Sequence, residues 1–394
     1  MRIHQINCQY QTKKIILLLL FFIICNINLN ISAYADAIDD LKPGHWLEIP
    51  NSNLDQVSPN PIPAGSTGVM SVMEAWSGGA YDTKRDRLII WGGGHTNYAG
   101  NELYVFDLNT LQWTRLTEPS SLDGWTDGDK EYSDGRPISR HTYDYIEYLP
   151  PPYDQFFTGG GAGLWRGGSD DNTTFIFDFQ TNKWIKEANP TPNPGLGAIT
   201  VYDKVTEKIW MHNAGKGSFL SEFDPKTKKW KKRGSVWTEP DGWIDYYWSG
   251  AIDPIRRKFV AIGNGNLYVW DLTEKGDIGN TKPVTTGNTE ILSMQSPGFQ
   301  YDPVSDEFIA WHGGENIYTL NMDNMAWKKI APAPSNVVIP TPAAKAGTFG
   351  RFRYVPSRNV FIAVNRVTEN VYIYRHTAPL SATAPHQPSR PNAQ

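Results

Sequence analysis

Tyr81-Asp82, then Leu88-Ile89-Ile90-Trp91 running into Gly92-Gly93-Gly94-His95, then Tyr104-Val105-Phe106-Asp107 and Trp113, is the stretch from which the architecture can be read. The same landmarks return at Tyr301-Asp302, His312-Gly313-Gly314, Ile317-Tyr318 and Trp327. In register, the leading pair also falls at Tyr148-Leu149, Tyr202-Asp203, Ile252-Asp253 and Tyr354-Val355. Each pair stands nine residues ahead of a loop, opened by Gly92, Gly159, Asn213, Gly263, His312 or Asn365. The closing spacing repeats too: Asp107 to Trp113, Asp178 to Trp184, Asp224 to Trp230 and Asn321 to Trp327 are each six apart. A unit recurring every fifty to sixty residues or so marks a repeat architecture.

Each copy holds short apolar or aromatic runs, such as Thr174-Phe175-Ile176-Phe177 and Asn266-Leu267-Tyr268-Val269-Trp270, punctuated by Gly, Pro and Asn. That is the pattern of a four-stranded antiparallel sheet. Such a sheet cannot bury both faces alone, so the copies must stack around an axis as an all-β propeller of about six blades, with seven possible. The sixth copy runs out at Tyr372-Ile373-Tyr374 without its Trp, while Trp46-Leu47-Glu48-Ile49-Pro50 stands alone near the N-terminus and resembles Trp327-Lys328-Lys329-Ile330-Ala331-Pro332. The N-terminal segment is therefore expected to supply the outer strand of the last blade, which removes two exposed edges.

The totals bound the rest. A chain of 394 residues, 40% hydrophobic and 13% aromatic, can bury a large core, and one propeller over 36–376 accounts for nearly all of it. Lys13-Lys14, the apolar run from Ile15 to Cys25, and Ala33-Tyr34-Ala35 have the parts of a secretory leader over 1–35, so a secreted or periplasmic destination is expected. The run is too short for a membrane span, and no stable insertion is expected after cleavage. Both cysteines, Cys8 and Cys25, lie in the leader, so disulfides are not expected to hold the mature fold. Cleavage would remove Arg2, Lys13 and Lys14 and no acids, leaving 34 basic against 41 acidic side chains. That balance argues against nucleic acid as a partner. Residues 377–394, rich in Pro, Ala and Ser, read as a disordered tail.

In a propeller the loop between second and third strands and the lead-in to the innermost strand open on one face. The loop rule selects His95, Asn97, Tyr98, Trp165, Arg166, Lys216, Asn266, Glu315, Asn365 and Arg366; the lead-in rule adds Trp76, Arg140, His141, Tyr143, Tyr246, Tyr247, Trp248, Gln295, Arg351 and Arg353. Arg140-His141 with Tyr143 offers a cation, a group that titrates near neutrality and a phenolic donor. The competing structural reading pairs Arg136 and Arg140 with Asp127, Asp129 and Asp134, leaves His141 at a strand end, and makes the tryptophans blade-to-blade core. His212 and His312 end strands and read as structural. No metal is expected: there is no Cys/His cluster at zinc spacing, and Asp127-Gly128-Asp129-Lys130-Glu131 lacks the Gly and distal Glu placement of a calcium loop. No cofactor motif stands out.

Over about residues 45 to 375 the paired loop glycines, the following Tyr and the Asp-x5-Trp ending resemble the secreted bacterial kelch-like propellers with galactose-oxidase-type central domains. Gly92-Gly93-Gly94-His95 through Asn101-Glu102-Leu103-Tyr104, followed by Arg140-His141, resembles the ulvan-type polysaccharide lyases within that group. The resemblance implies a polysaccharide or oligosaccharide partner, a monomer, and β-elimination next to a uronate carboxylate. In that scheme His95 or His141 is the base, Tyr143 or Tyr246 the proton donor, and Arg140 or Arg166 the neutralising cation. Substrate binding then falls to Trp76, Asn97, Tyr98, Trp165, Lys216, Tyr247, Trp248, Asn266, Arg351 and Arg353. Two other functions fit the same residues: a non-catalytic glycan- or protein-binding propeller, and a sugar mutarotase or epimerase.

Overall fold

A computed structural model describes residues 36–167, 170–171, 173–189, 196–212, 219–234 and 247–378. The expected leader, most of the expected tail, and the candidates Lys216 and Tyr246 lie outside the described residues. Six sheets of antiparallel strands follow the six repeats, the last of them completed by the N-terminal strand. The first runs outward through Gly79–Asp82, Arg87–Ile90, Tyr104–Asp107 and Gln112–Arg115. The innermost strands of the other five are Ile146–Leu149, Ile199–Asp203, Ser249–Asp253, Gly298–Asp302 and Phe352–Val355, and each touches its neighbours in turn until the last meets the first. The fifth sheet carries a short extra strand, Thr286–Gly287, parallel to its outer edge.

Closure follows the sequence reading. His45–Ile49 pairs antiparallel with Val371–Arg375, placing Trp46 opposite Tyr374. The Trp46 ring lies 4.7 Å from that of Tyr374 and 5.4 Å from Trp311 of the fifth blade, and its Nε1 donates to the Glu315 carbonyl at 2.8 Å. The two ends of the chain thus share one sheet, and no blade is left with its inner face uncovered.

The repeated motifs have a mechanical cause. In the Asp-x5-Trp ending, the Asp side chain caps the turn between third and fourth strands: Asp107 accepts the backbone N–H groups of Asn109 at 2.7 Å and Thr110 at 3.1 Å. Asp178 does the same for Gln180 and Thr181, and Asp224 for Lys226 and Thr227. The Trp then falls opposite the residue preceding the Asp, pairing Trp113 with Phe106, Trp184 with Phe177 and Trp230 with Phe223. The Tyr-Asp pair caps the turn between first and second strands in the same way, Asp82 accepting from Lys84 and Arg85 at 3.0 and 3.2 Å. The Tyr hydroxyl spans that turn to its last residue, as in Tyr301 to Asp306 at 2.6 Å and Tyr354 to Asn359 at 3.0 Å. Those last residues take the left-handed backbone that Asp and Asn tolerate, with φ of 55° at Asp306 and 48° at Asn359.

These turns define the lower face. Around the axis there, Tyr81, Tyr148, Tyr202, Ile252, Tyr301 and Tyr354, one per blade, ring the mouth of the central channel. Ion pairs stitch the turns of adjacent blades together. Asp154, almost fully enclosed, receives Arg85 at 2.7 Å, Lys84 at 2.5 Å and the Tyr148 hydroxyl at 2.8 Å. Arg257 reaches back to Asp203, and Arg256 joins Asp253 to Asp306.

Asp154 links the first two blades, so Asp154→Asn is expected to lower stability by about 2 kcal/mol, less than for a fully enclosed pair because Lys84 is half exposed. Burial pushes this carboxyl up, but hydrogen bonds from Arg85, Lys84 and Tyr148 outweigh it and hold the group well below the usual carboxylate range. Its contribution is present above the unfolded-state value of about 4 and fades as pH falls toward the native one. Urea melts of both proteins at pH 7 and at about pH 3 check this; an equal gap at the two pH values contradicts it.

Candidate functional site

On the upper face, five of the selected residues meet. Trp76, His95, His141, Tyr143 and Tyr247 line a cavity of about 260 Å³, with Gly163 and Leu196 completing its wall. Trp76 comes from the lead-in of the first blade, His141 and Tyr143 from that of the second, and Tyr247 from that of the fourth. His95 follows the first blade's glycine loop.

The loops approach closely because glycine allows it. Gly94 has φ of 80°, and a Cβ there would lie 2.3 Å from the Gly163 carbonyl oxygen and 2.5 Å from Cα of Arg140. That contact lets the His95 N–H donate to the Gly163 carbonyl at 2.5 Å, while the His95 carbonyl accepts from the Arg166 N–H at 2.8 Å. The Tyr143 N–H donates to the Trp76 carbonyl at 2.6 Å, joining the two lead-ins. Four of the non-glycine residues involved have left-handed backbones: Trp76 (φ 47°), His95 (54°), Tyr143 (45°) and Arg166 (47°). Bulky side chains adopt this conformation only where the surroundings impose it, and such strain gathers at functional sites.

Inside the cavity the His141 ring lies 5.0 Å from that of Trp76, 5.3 Å from that of His95 and 6.1 Å from the edge-on Tyr143 ring. His95 is exposed; His141 is buried behind it. Burial, reinforced by the neighbouring His95, drives His141 down to about 3. It is a neutral imidazole at neutral pH, and its Nε2 is enclosed with no hydrogen-bond partner among the described residues. Leaving such an atom unsatisfied costs on the order of 1–3 kcal/mol.

The other candidates take different places. Arg140 is fully buried, its Nε donating to the Ile138 carbonyl at 2.9 Å and its guanidinium lying over Trp91 and Phe175, so it does not reach the cavity. Arg166 stands on the rim, half exposed and 3.6 Å from Asp127. Tyr98 is buried and donates to Glu102. Trp165 packs with Leu164, Ile138 and Tyr132, and Trp248 lies in the core between blades beside Tyr268. Asn97 uses its carbonyl to accept from Thr67 and Gly68, while Asn266 bonds its own turn at Asn264. Arg351 is fully buried and clamps the carbonyls of Met73, Ser77 and Gly347. Arg353 faces the central channel, where it meets Glu147 at 3.1 Å. His212 is buried with its ring 4.7 Å from Trp270.

Gly163 and Leu196 were not among the selected residues, since a rule that searches for polar groups passes over both. The long loop from Thr117 to Arg136 is anchored beside the site: Trp125 and Leu122 pack on the Trp165 cluster, and the Tyr132 hydroxyl donates to the Ala99 carbonyl.

No family model and no curated protein matches the chain. Among solved structures it is similar to that of YjhT, at 14% identity and a TM-score of 0.47 over 80% of this chain and 99% of that one, a likeness too distant to bear on function.

A His141 pKa near 3 is expected to show as ring resonances that do not titrate from pH 8 to 5, where an exposed histidine would move. Because the unfolded chain binds that proton at about 6.5 and the native one does not, His141 makes the protein lose stability as pH falls through this range. In His141→Phe that part of the acid sensitivity should disappear, read by thermal melts across the same window.

Proposed function

We propose that the upper cavity is the active site of a secreted carbohydrate-active enzyme that moves protons on a sugar ring, acting as a polysaccharide lyase on uronate-containing glycans. The observation that carries this reading is the meeting of His95, His141 and Tyr143 in an aromatic-walled cavity on strained backbone. An open imidazole, a phenol and aromatic walls are the parts a base, an acid and a sugar-stacking platform require.

In β-elimination the C5 proton goes to a base, its electron pair forms the C4–C5 double bond, and the C4–O bond breaks with a proton delivered to the leaving oxygen. His95, the exposed member of the pair, takes the C5 proton in this scheme. His141, held neutral behind it, sets no like charge against the imidazolium that forms. Tyr143 supplies the proton to the leaving oxygen, and Arg166, whose N–H bonds the His95 carbonyl, is the cation for the carboxylate. Arg140 has no part in this scheme, because it lies buried away from the cavity.

The cavity size favours a second reading. At about 260 Å³ it lies below the roughly 300–1,000 Å³ of sites that take drug-sized ligands, so it encloses one ring rather than a chain. A mutarotase or epimerase acting on a single sugar would use the same acid and base without changing chain length.

Incubation with a panel of uronate-containing polysaccharides, following ultraviolet absorbance of the unsaturated product, tests the lyase directly. With a substrate found, His95→Ala and Tyr143→Phe should each lower kcat by roughly 10²–10⁴-fold, and Arg166→Ala should act mainly on KM. Full activity in both His95→Ala and His141→Ala would remove the assignment. Anomer or epimer interconversion of a monosaccharide without elimination would establish the second reading, and saturable glycan binding without turnover would make the propeller a recognition module.

A further inference from the structure

At the opposite end of the channel lies a larger cavity, of about 460 Å³, that the chemistry above does not use. Its rim is the six-fold ring of pair residues, five of them tyrosines, and in four blades a proline follows two residues later. The hydroxyls of Tyr81, Tyr148, Tyr301 and Tyr354 are engaged with the turns, so the rings offer the mouth mainly carbon and π surface. At the floor are Glu147 and Arg353. Arg353 is largely used: its Nε and one terminal nitrogen donate to the Gly79 carbonyl, and the other donates to Oε1 of Glu147. Behind them sits Asp144, 3.8 Å from Arg353, with Oδ1 enclosed and lacking a hydrogen-bond partner among the described residues. Among the described residues two enclosed carboxyl groups therefore face a single guanidinium, one positive charge short when both are ionised.

We propose that the lower mouth is a second binding site, which takes an alkylammonium group with its carbon chain against the tyrosine rim and its charge at Glu147. Aromatic rims around an acidic floor are a setting that ammonium groups favour. The source is either a small free amine or a lysine side chain of another protein; the chemistry at the site is the same. The charged groups lining the cavity with Glu147 are Arg353 from the sixth blade, the exposed Lys204 and the Arg257-paired Asp203 from the third, with Asp144 of its own segment behind, while the fourth and fifth blades present Ala251 and Gln300. Burial, against the opposing pull of Arg353, raises Glu147 to about 7 and Asp144 to about 6, so a bound cation meets more negative charge as pH rises through this range.

Titration of the whole chain with 1-aminobutane by calorimetry, with butanol and butyrate as neutral and anionic counterparts, tests the site. Saturable binding of the amine alone is expected, weakening several-fold between about pH 8 and pH 5.5 as the two carboxylates take up protons. Glu147→Gln should lose most of the affinity. Lys204→Glu, an exposed change that leaves the core untouched, should tighten binding several-fold and decides the matter if the Glu147 variant fails to fold. Butanol binding as well as the amine, no saturable binding at pH 8, or indifference to Lys204→Glu overturns the proposal. With binding established, tighter capture of Nα-acetyl-lysine amide than of 1-aminobutane assigns the site to a protein lysine, and the reverse order to a free amine.

Discussion

Every feature of this protein depends on the pairing of His45–Ile49 with Val371–Arg375. A blade is a sheet with two apolar faces, and only neighbours on both sides can cover them. An open row of six would leave the inner faces of the first and last blades wet, and the innermost strands would have no fixed axis to surround. Joining the chain ends within one sheet makes the sixth blade whole and lets Phe352–Val355 contact Gly79–Asp82. The upper cavity depends on this closure, because its walls come from the first four blades and hold their spacing only while the ring is shut.

Within that ring, the two ends of the innermost strands meet different demands. The lower ends turn back at once into the second strands, so they carry short, capped hairpins whose Asp, Tyr and Arg side chains are consumed by hydrogen bonds and ion pairs. The upper ends connect to lead-ins that arrive from the rim of the preceding blade, and these have no neighbouring strand to satisfy their backbone. Glycines at 94 and 163 allow lead-in and loop to bond each other instead. The cost is left-handed backbone at Trp76, His95 and Tyr143, and the result is a set of side chains whose directions the backbone fixes.

The fold was legible because it is periodic. Six appearances of a pair and four of a six-residue spacing to Trp, three from Asp and one from Asn, report a turn geometry, and turn geometry fixes strand length and register. The site was legible only in part. Register tells which end of a strand a residue occupies, and this brought together Trp76, His95, His141, Tyr143 and Tyr247. It does not tell to which side a chain turns. Arg140 and His141 are adjacent, yet one lies over Trp91 and Phe175 in the core while the other faces the cavity. Tyr98, Trp165 and Trp248 stand at upper-face positions, but each has a large apolar ring and a nearby packing cluster, so burial outweighed exposure. Arg351 stays buried because three carbonyls of neighbouring loops would otherwise lack donors.

The layers between the two cavities explain why the two faces can differ in chemistry without interfering. Tyr143 packs edge-on against Phe349 and Tyr145, which puts a layer of aromatic carbon beneath the upper cavity. Below that layer come Asp144, Arg353 and Glu147, two carboxyl groups sharing one guanidinium. Fields between enclosed charges are weakly screened, so an unpaired guanidinium at this depth would act on any base above it. Pairing Arg353 with Glu147, and engaging it with the Gly79 and Ile146 carbonyls, confines that charge to the lower half. The neutrality of His141 is accordingly caused by its own burial and by His95, not by the channel, and the upper cavity can tune its bases independently of whatever occupies the lower mouth.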